Sequence, residues 1–235
     1  MSDLINPCVD IAFKKIFGVE ENKDLLISLI NSIVDAEDQV DDVTLLNPYN
    51  PKNFPNDKLS ILDIKAKSKT GKRYNIEMQI TDDTDYDKRL LYHWARFYTD
   101  QLEQKEDYSL LKAIGIHILN FTSILDSPKY HNVFHIKERE SNIPYFEDLQ
   151  LHTIDLKKFS PNYQADLPEL LVKVKNMLDL WIVFLTRNDL LHKDSLPKNL
   201  DVPELKKALH VLEVMNFNPQ ERDLYEDHLK WLRLR

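Results

Sequence analysis

Glycine is nearly missing from this chain: 3 residues in 235. So few glycines exclude glycine-rich phosphate loops and argue against a β-propeller or a barrel with many tight turns. Cysteine is scarcer still. Cys8 stands alone, so no internal disulfide forms, and a reducing compartment is the natural setting. Long apolar runs are also missing. LWIVFL, Leu180 to Leu185, falls far short of the ~20 residues that a bilayer-spanning helix needs. The opening residues, MSDLINPCVD, lack the basic stretch and apolar segment of a secretory signal. These absences lead to the expectation of a cytoplasmic protein with no membrane partner. Nor is there an excess of basic charge. With 31 basic against 39 acidic residues the net charge is -8, which weakens any reading as a general nucleic-acid coat but leaves room for a local basic patch. The 8 histidines show no HxH or HExxH spacing and no cysteine partners, which argues against zinc. No Walker or G-x-S-x-G pattern occurs, and no small-molecule cofactor is expected.

What is present is 43% hydrophobic residues, enough for a core, arranged in readable periods. Asn6 and Pro7 open a helix over CVDIAFKKIF, closed by Gly18. A second helix spans roughly Asn22 to Val34, with Leu25, Leu26, Leu29, Ile30 and Ile33 at helical spacing. NPYNPKNFPND, from Asn47, is a loop. A hairpin follows at Lys58 to Ile80, then an acidic helix start, TDDTD, and a long helix from about Tyr86 to Gln104. LLKAIGIHILNF reads as a buried strand, and HNVFHIKE and DLQLHTIDL as two more. His117, inside the first of these, reads as a satisfied core histidine. SPNYQADLP at Ser160 to Pro168 is a linker. Helices are predicted beyond it at Glu169 to Arg187, Pro203 to Phe217 and Pro219 onward. The last of them has no capping residue, as where a chain is cut or its end docks on a partner. The order predicts an α/β protein with a mixed central sheet flanked by helices. It divides into a core domain over residues 1–160 and an α-helical C-terminal region over residues 161–235. Trp181 and Trp231 in that region read as packing or oligomerisation surface.

The stretch LDIKAKSKTGKRYNIEMQI carries the chemistry. Lys69, Thr70 and Gly71 suit a three-residue turn with Gly71 at the position requiring positive φ. That register sets Lys67 against Arg73, Lys65 against Asn75 and Asp63 against Glu77. Alternation then gives an apolar face of Leu62, Ile64, Ala66, Tyr74, Ile76, Met78 and Ile80. The other face carries Asp63, Lys65, Lys67, Arg73, Asn75, Glu77 and Gln79. Directly opposed residues have Cβ atoms about 4.5–5.5 Å apart, and like charges there repel. Two readings follow. The acids converge on a divalent cation such as Mg²⁺, which takes one or two carboxylates together with waters and phosphate. Otherwise the face is a solvated one, its acids balanced by Lys65 and Lys67. A register slip of one residue would part the acids.

An acid on one strand, a short turn, and E-x-(K/Q) on the next is the pattern of the PD-(D/E)XK nuclease superfamily, and the chain resembles its recombination-promoting nuclease and putative transposase branch. DIAFKKIFG, LDIKAKSKTGKRYNIEMQI and KRLLYHWARFYTDQLEQKEDY carry the resemblance over roughly residues 7 to 125, with the helical remainder a looser match. The resemblance implies a restriction-endonuclease-like fold and Mg²⁺-dependent hydrolysis of DNA, with Mn²⁺ as a substitute. Asp63 and Glu77 match the metal-binding acids, and Asp10 matches the acid supplied by the first core helix. Gln79 stands where the superfamily usually has lysine. A neutral amide orients a water but cannot take its proton, and Lys65, on the same face, is the candidate to supply the charge. The biological setting implied is recombination or transposition, and a homodimer would let two sites cut two strands. The departure at Gln79 and the acidic balance keep a second class open: a nuclease-fold module that binds nucleic acid or a protein without efficient chemistry.

Other candidates have two readings each. Asp10 shares a helix stripe with Phe13, Lys14 and Phe17; it belongs to the site, or it is an early-turn acid favoured by the helix dipole and paired with Lys14. Arg89, His93, Arg96 and Asp100 share one face of the long helix, with Tyr92 beside them, so that Arg89 and Arg96 contact phosphate or are solvated on a covering helix. Lys67, Lys72 and Arg73 are candidate phosphate contacts near the acids.

Overall fold

The computed structural model describes residues 4–49, 63–81, 85–102, 108–161 and 165–233. The loop residues 50–57, the hairpin start 58–62, residues 82–84 of the acidic helix start, residues 103–104 of the long helix and residues 162–164 of the linker lie outside the described residues. In chain order the elements are α1 (Asp10–Phe17), α2 (Lys23–Ile33), β1 (Val43–Leu45), β2 (Ile64–Ser68), β3 (Arg73–Gln79), α3 (Tyr86–Thr99), β4 (Ala113–Leu119), β5 (His131–Lys137), β6 (Pro144–Asp155), α4 (Leu156–Phe159), α5 (Leu167–Leu171), α6 (Met177–Arg187), α7 (Pro203–Val214) and α8 (Pro219–Arg233). The strands form one mixed sheet in the order β1-β2-β3-β4-β6-β5. β3, β4 and β6 run parallel, and the β1/β2, β2/β3 and β5/β6 pairs are antiparallel. This is the predicted α/β class, a mixed sheet flanked by helices with helices at the C-terminal end, consistent with a restriction-endonuclease-like fold.

The hairpin has the predicted register: Lys67 pairs with Arg73, Lys65 with Asn75 and Ile64 with Ile76. Ser68 N donates to Lys72 O at 2.9 Å, and Gly71 N to Ser68 O at 3.0 Å. Gly71 has φ +90, and a Cβ there would stand 2.2 Å from Leu111 Cδ1. The backbone angle requires glycine, whereas the exposed Leu111 side chain can turn aside. Gly71→Ala is therefore expected to destabilise the protein by roughly 2 kcal/mol, as strained positive-φ sites do. Urea denaturation checks this, and an unchanged midpoint would mean the turn is not under constraint.

The alternation of the hairpin sorts the sheet's two faces. Ile64, Ala66, Tyr74, Ile76 and Met78 join Ile114, Ile116 and Ile118 of β4 in one apolar core with α1, α2, α6 and α7. The register carries the other face across the sheet, with Asn75 beside Gly115 and Glu77 beside His117. There α3 packs: Trp94 Nε1 donates to Ala113 O at 3.1 Å, and Trp94 Cδ1 would be 3.6 Å from a Cβ on Gly115. Covered on both faces, β4 is buried at every residue, which is why its sequence is apolar apart from His117 and does not alternate.

Four details differ from the sequence reading, each for a local reason. Asn6 does not cap a helix. Its Oδ1 accepts from Cys8 N at 2.9 Å, an Asx turn that spends the cap, so α1 begins three residues later, at Asp10. β1 goes unnoticed in sequence because it is only three residues long, VTL. The helix predicted over Glu169 to Arg187 is two helices. A reciprocal cap between Asn176 and Asp179 starts α6 afresh, an N-x-x-D signal hidden inside a continuous helical period. The long helix ends at Thr99, before the predicted Gln104.

Candidate active site

Asp63 directly precedes β2, and the hairpin register carried one step further sets it opposite Glu77. Three groups fix it. Its main-chain oxygen accepts from Lys14 Nζ of α1 and from Asn47 Nδ2 at 3.0 Å. Asn47 Nδ2 also lies 3.3 Å from Asp63 Oδ1, while Asn47 Oδ1 accepts from Lys65 N at 2.7 Å. An asparagine amide, donor and acceptor at once, thus staples the loop after β1 to the start of β2. Lys65 Nζ stands 3.3 Å from Asp63 Oδ2.

Glu77 is held in the middle of β3 with only one-fifth of its side chain exposed. Burial, reinforced by the charge of Asp63, pushes it up to about 7, against the pull of Arg89 and Lys65. Beneath it lies His117, whose Nδ1 is 3.6 Å from Glu77 Oε2. Burial above all, and also the charge of His93, drives His117 down to about 3, so the imidazole is neutral and offers Glu77 no counter-charge. His117 is therefore a core histidine, but neither ring nitrogen has a hydrogen-bond partner among the described residues. That corrects the expectation of a satisfied one.

Asp10 faces the same cleft from α1. Burial, then the charge of Glu77, raises it to about 7 against a hydrogen bond from its own backbone. Its Oδ1 is buried with no hydrogen-bond partner among the described residues. Oδ2 is 3.4 Å from Nδ1 of His228 on α8, so Asp10 is turned towards α8 and not towards Lys14. The C-terminal helices therefore do more than pack, because the last of them supplies a side chain to the cleft. α8 is moored to α1 by a 2.8 Å ion pair between Lys15 and Glu221, to the loop after β1 by Tyr49 donating to Glu221, and to the segment before α1 by Asn6 N donating to Tyr225 Oη at 2.8 Å.

The cleft, about 660 Å³, is lined by Asp10, Asp63, Lys65, Glu77 and Gln79, together with Arg89, His93, Arg96 and Asp100 of α3. The predicted helix face thus does turn towards the acids. Arg89 lies 6.0 Å from the Tyr86 ring, and Arg96 Nε is 3.9 Å from Asp100. Gln79 donates its amide to Thr81 O at 3.0 Å, and its carbonyl oxygen can act only as an acceptor. The hairpin's other cations do not line the cleft. Lys67 is exposed, and Arg73 sits 5.8 Å over the Phe97 ring. Lys72 is committed to the fold, paired at 2.8 Å with buried Asp38, which Lys112 also holds. Burial alone would raise Asp38, but hydrogen bonds from the two lysines outweigh it and hold the carboxyl below its ordinary range.

The donor set suits a hard cation. It is all oxygen: Asp10 is kept high by burial and then by Glu77, and Glu77 by burial and then by Asp63, a repulsion that a cation would relieve. No group of three His, Cys, Asp or Glu side chains among the described residues is gathered to hold an ion on its own.

In the sequence Lys14 reads only as a partner for Asp10 and Asn47 only as a loop residue, and nothing singles out His228. A lysine between Phe13 and Phe17 on a core stripe was the available signal for the first. Asn47 and His228 had none, since their roles depend on tertiary contacts. Among the described residues no helix is long and apolar enough to cross a membrane. No curated protein and no solved structure matches the chain significantly. A family model described as PD-(D/E)XK nuclease family transposase matches residues 7–233, taking in α8 and His228 as well as the hairpin, and the chain belongs to that family.

Proposed function

We propose that this protein is a Mg²⁺-dependent DNA endonuclease, able to use Mn²⁺, that hydrolyses phosphodiester bonds in recombination or transposition. The observation that carries this reading is that Asp63 and Glu77, which the hairpin register extended by one step sets opposite each other, line one cleft together with Arg89 and Arg96. PD-(D/E)XK nucleases generally use divalent metals, and Asp63 and Glu77 are the residues that would hold one here. Bound there, the ion would supply a lowered pKa for a coordinated water and positive charge against the scissile phosphate. The chain's own residues do the rest. Asn47 fixes Asp63, Lys65 holds the carboxylate's orientation, and Gln79 accepts a hydrogen bond from the attacking water. Arg89 and Arg96 draw the phosphate backbone in against the net negative charge of the whole protein.

The second reading, a nuclease-fold module that binds without efficient cleavage, draws on Gln79. Plasmid nicking with Mg²⁺, with Mn²⁺ and with EDTA, on wild type and Asp63→Ala, separates the two. Metal-dependent nicking that falls by roughly a hundredfold or more in Asp63→Ala is expected. Equal residual nicking in both proteins would reject the nuclease, and DNA binding without nicking in either would establish the module.

A further inference from the structure

We propose that Lys14 is a positioning residue for the acidic centre: a buried, fixed cation that holds Asp63 in place from behind. The proposal rests on the nuclease reading for its functional consequence, but its geometry is independent of it. Lys14 is 1% exposed and lies on α1 between Phe13 and Phe17, both fully buried. Its ammonium donates to the main-chain oxygen of Asp63. Among the described residues no carboxylate stands within ion-pair distance of it. The side chain bends past Gly18, where any Cβ would stand 2.8 Å from Lys14 Cδ. Gly18 has φ -105, an ordinary backbone angle, so space and not conformation calls for glycine there.

An ammonium buried in an apolar wall without a paired carboxylate is unfavourable for folding. A methionine, equally long and uncharged, would fill the same volume without that penalty. The fold alone therefore does not explain the lysine. Its surroundings do: Asp10, Asp63 and Glu77 all face one cleft. The other cation beside Asp63, Lys65, is 38% exposed and so screened by solvent. Lys14 is not screened. It places a positive charge behind Asp63, one that burial weakens by lowering Lys14 to about 8 against the pull of Asp63, and, with Asn47, it gives that carbonyl two donors from two different elements. It does not line the cleft and so does not meet substrate.

The test compares Lys14→Met and Lys14→Gln with wild type and Asp63→Ala, all as full chains. Three quantities are read: the thermal midpoint in EDTA, Mn²⁺ affinity by electron paramagnetic resonance, and kcat and KM for plasmid nicking. Both variants are expected to keep the wild-type midpoint or exceed it. Each should also lose about 10-fold to 100-fold in Mn²⁺ affinity and in kcat, as residues that support metal ligands do, with KM little changed. A midpoint that falls together with activity would make Lys14 structural and overturn the proposal. Full recovery in Lys14→Gln would show that the hydrogen bond suffices without the charge, and would also overturn it. So would tighter Mn²⁺ binding in Lys14→Met, the behaviour of a cation that merely repels the metal. If wild type and Asp63→Ala nick equally, the nuclease reading fails, while the Mn²⁺ affinities and thermal midpoints still decide the role of Lys14.

Discussion

Glu77→Gln is expected to abolish nicking and, in the absence of metal, to stabilise the protein. The first effect follows from the loss of one of two opposed carboxylates, with a fall of about a hundredfold to a thousandfold. The second follows from linkage. Glu77 titrates at about 7 in the folded chain against an ordinary 4.5, because it is buried and faces Asp63. A carboxyl raised on folding binds its proton more tightly in the native state. Its burden is absent below the unfolded value, grows as the pH rises from about 4.5 to 7, and is complete above 7. At about 1.36 kcal/mol per unit the burden is on the order of 3 kcal/mol. Glutamine carries no charge at any pH, and its presence also removes the repulsion that helps to raise Asp10.

The difference between the two proteins, and not the wild-type curve alone, reads this contribution together with the relief of Asp10. His117 and His152 are both driven down to about 3, first by burial. Groups lowered in this way weaken the fold as the pH falls below about 6.5, so they oppose the Glu77 effect in the same window. His152 is common to both proteins and cancels in the comparison, whereas His117, 3.6 Å from Glu77, is part of the measured difference. In EDTA, the variant's thermal midpoint should exceed wild type by roughly 5–10 °C at pH 8 and match it near pH 4.5. Equal midpoints at both pH values would mean that Glu77 is not held against Asp63 in a desolvated site. Saturating Mg²⁺ should reverse the order at pH 8, because only wild type keeps both carboxylates to bind it.

The hairpin was legible because every constraint on it is local. A turn of fixed length with glycine in its left-handed position sets the register. Alternation then assigns each side chain to a face, and Asp63 meets Glu77 with no reference to the rest of the chain. The α3 face was legible for the same reason, because Arg89, His93, Arg96 and Asp100 are related by helical spacing alone. What surrounds the pair is another matter. Asn47 reaches Asp63 only because a three-residue edge strand too short to show a period brings it there. Lys72 has the same composition and neighbourhood as a phosphate contact, yet buried Asp38, 34 residues away in sequence, captures it. His228 arrives at Asp10 through contacts that moor α8 to α1 and to the segment before it, more than 200 residues away in the chain. Pairings at that separation leave no trace in a single sequence.

Those long-range pairings bear on the C-terminal region, whose division from the core near residue 160 is open to a direct test. Trp181 is fully buried. Its ring meets Phe17 of α1 edge-on at 5.3 Å and Phe184 at 5.7 Å, and its Nε1 lies 3.3 Å from Ser28 Oγ of α2. Trp181→Ala empties the junction of three helices and is expected to cost about 3–5 kcal/mol, a large share of the 5–15 kcal/mol typical of a whole domain. Because α1 carries Asp10 and Lys14, the damage should not stay in the helices. Urea melts followed by tryptophan fluorescence and by circular dichroism should show one shared transition, displaced to lower urea. Nicking should be lost along the same curve. Two separate transitions, with the sheet and its cleft surviving the loss of the helices, would instead make residues 161–235 an autonomous unit. In that case His228 could not be needed for the site that it touches.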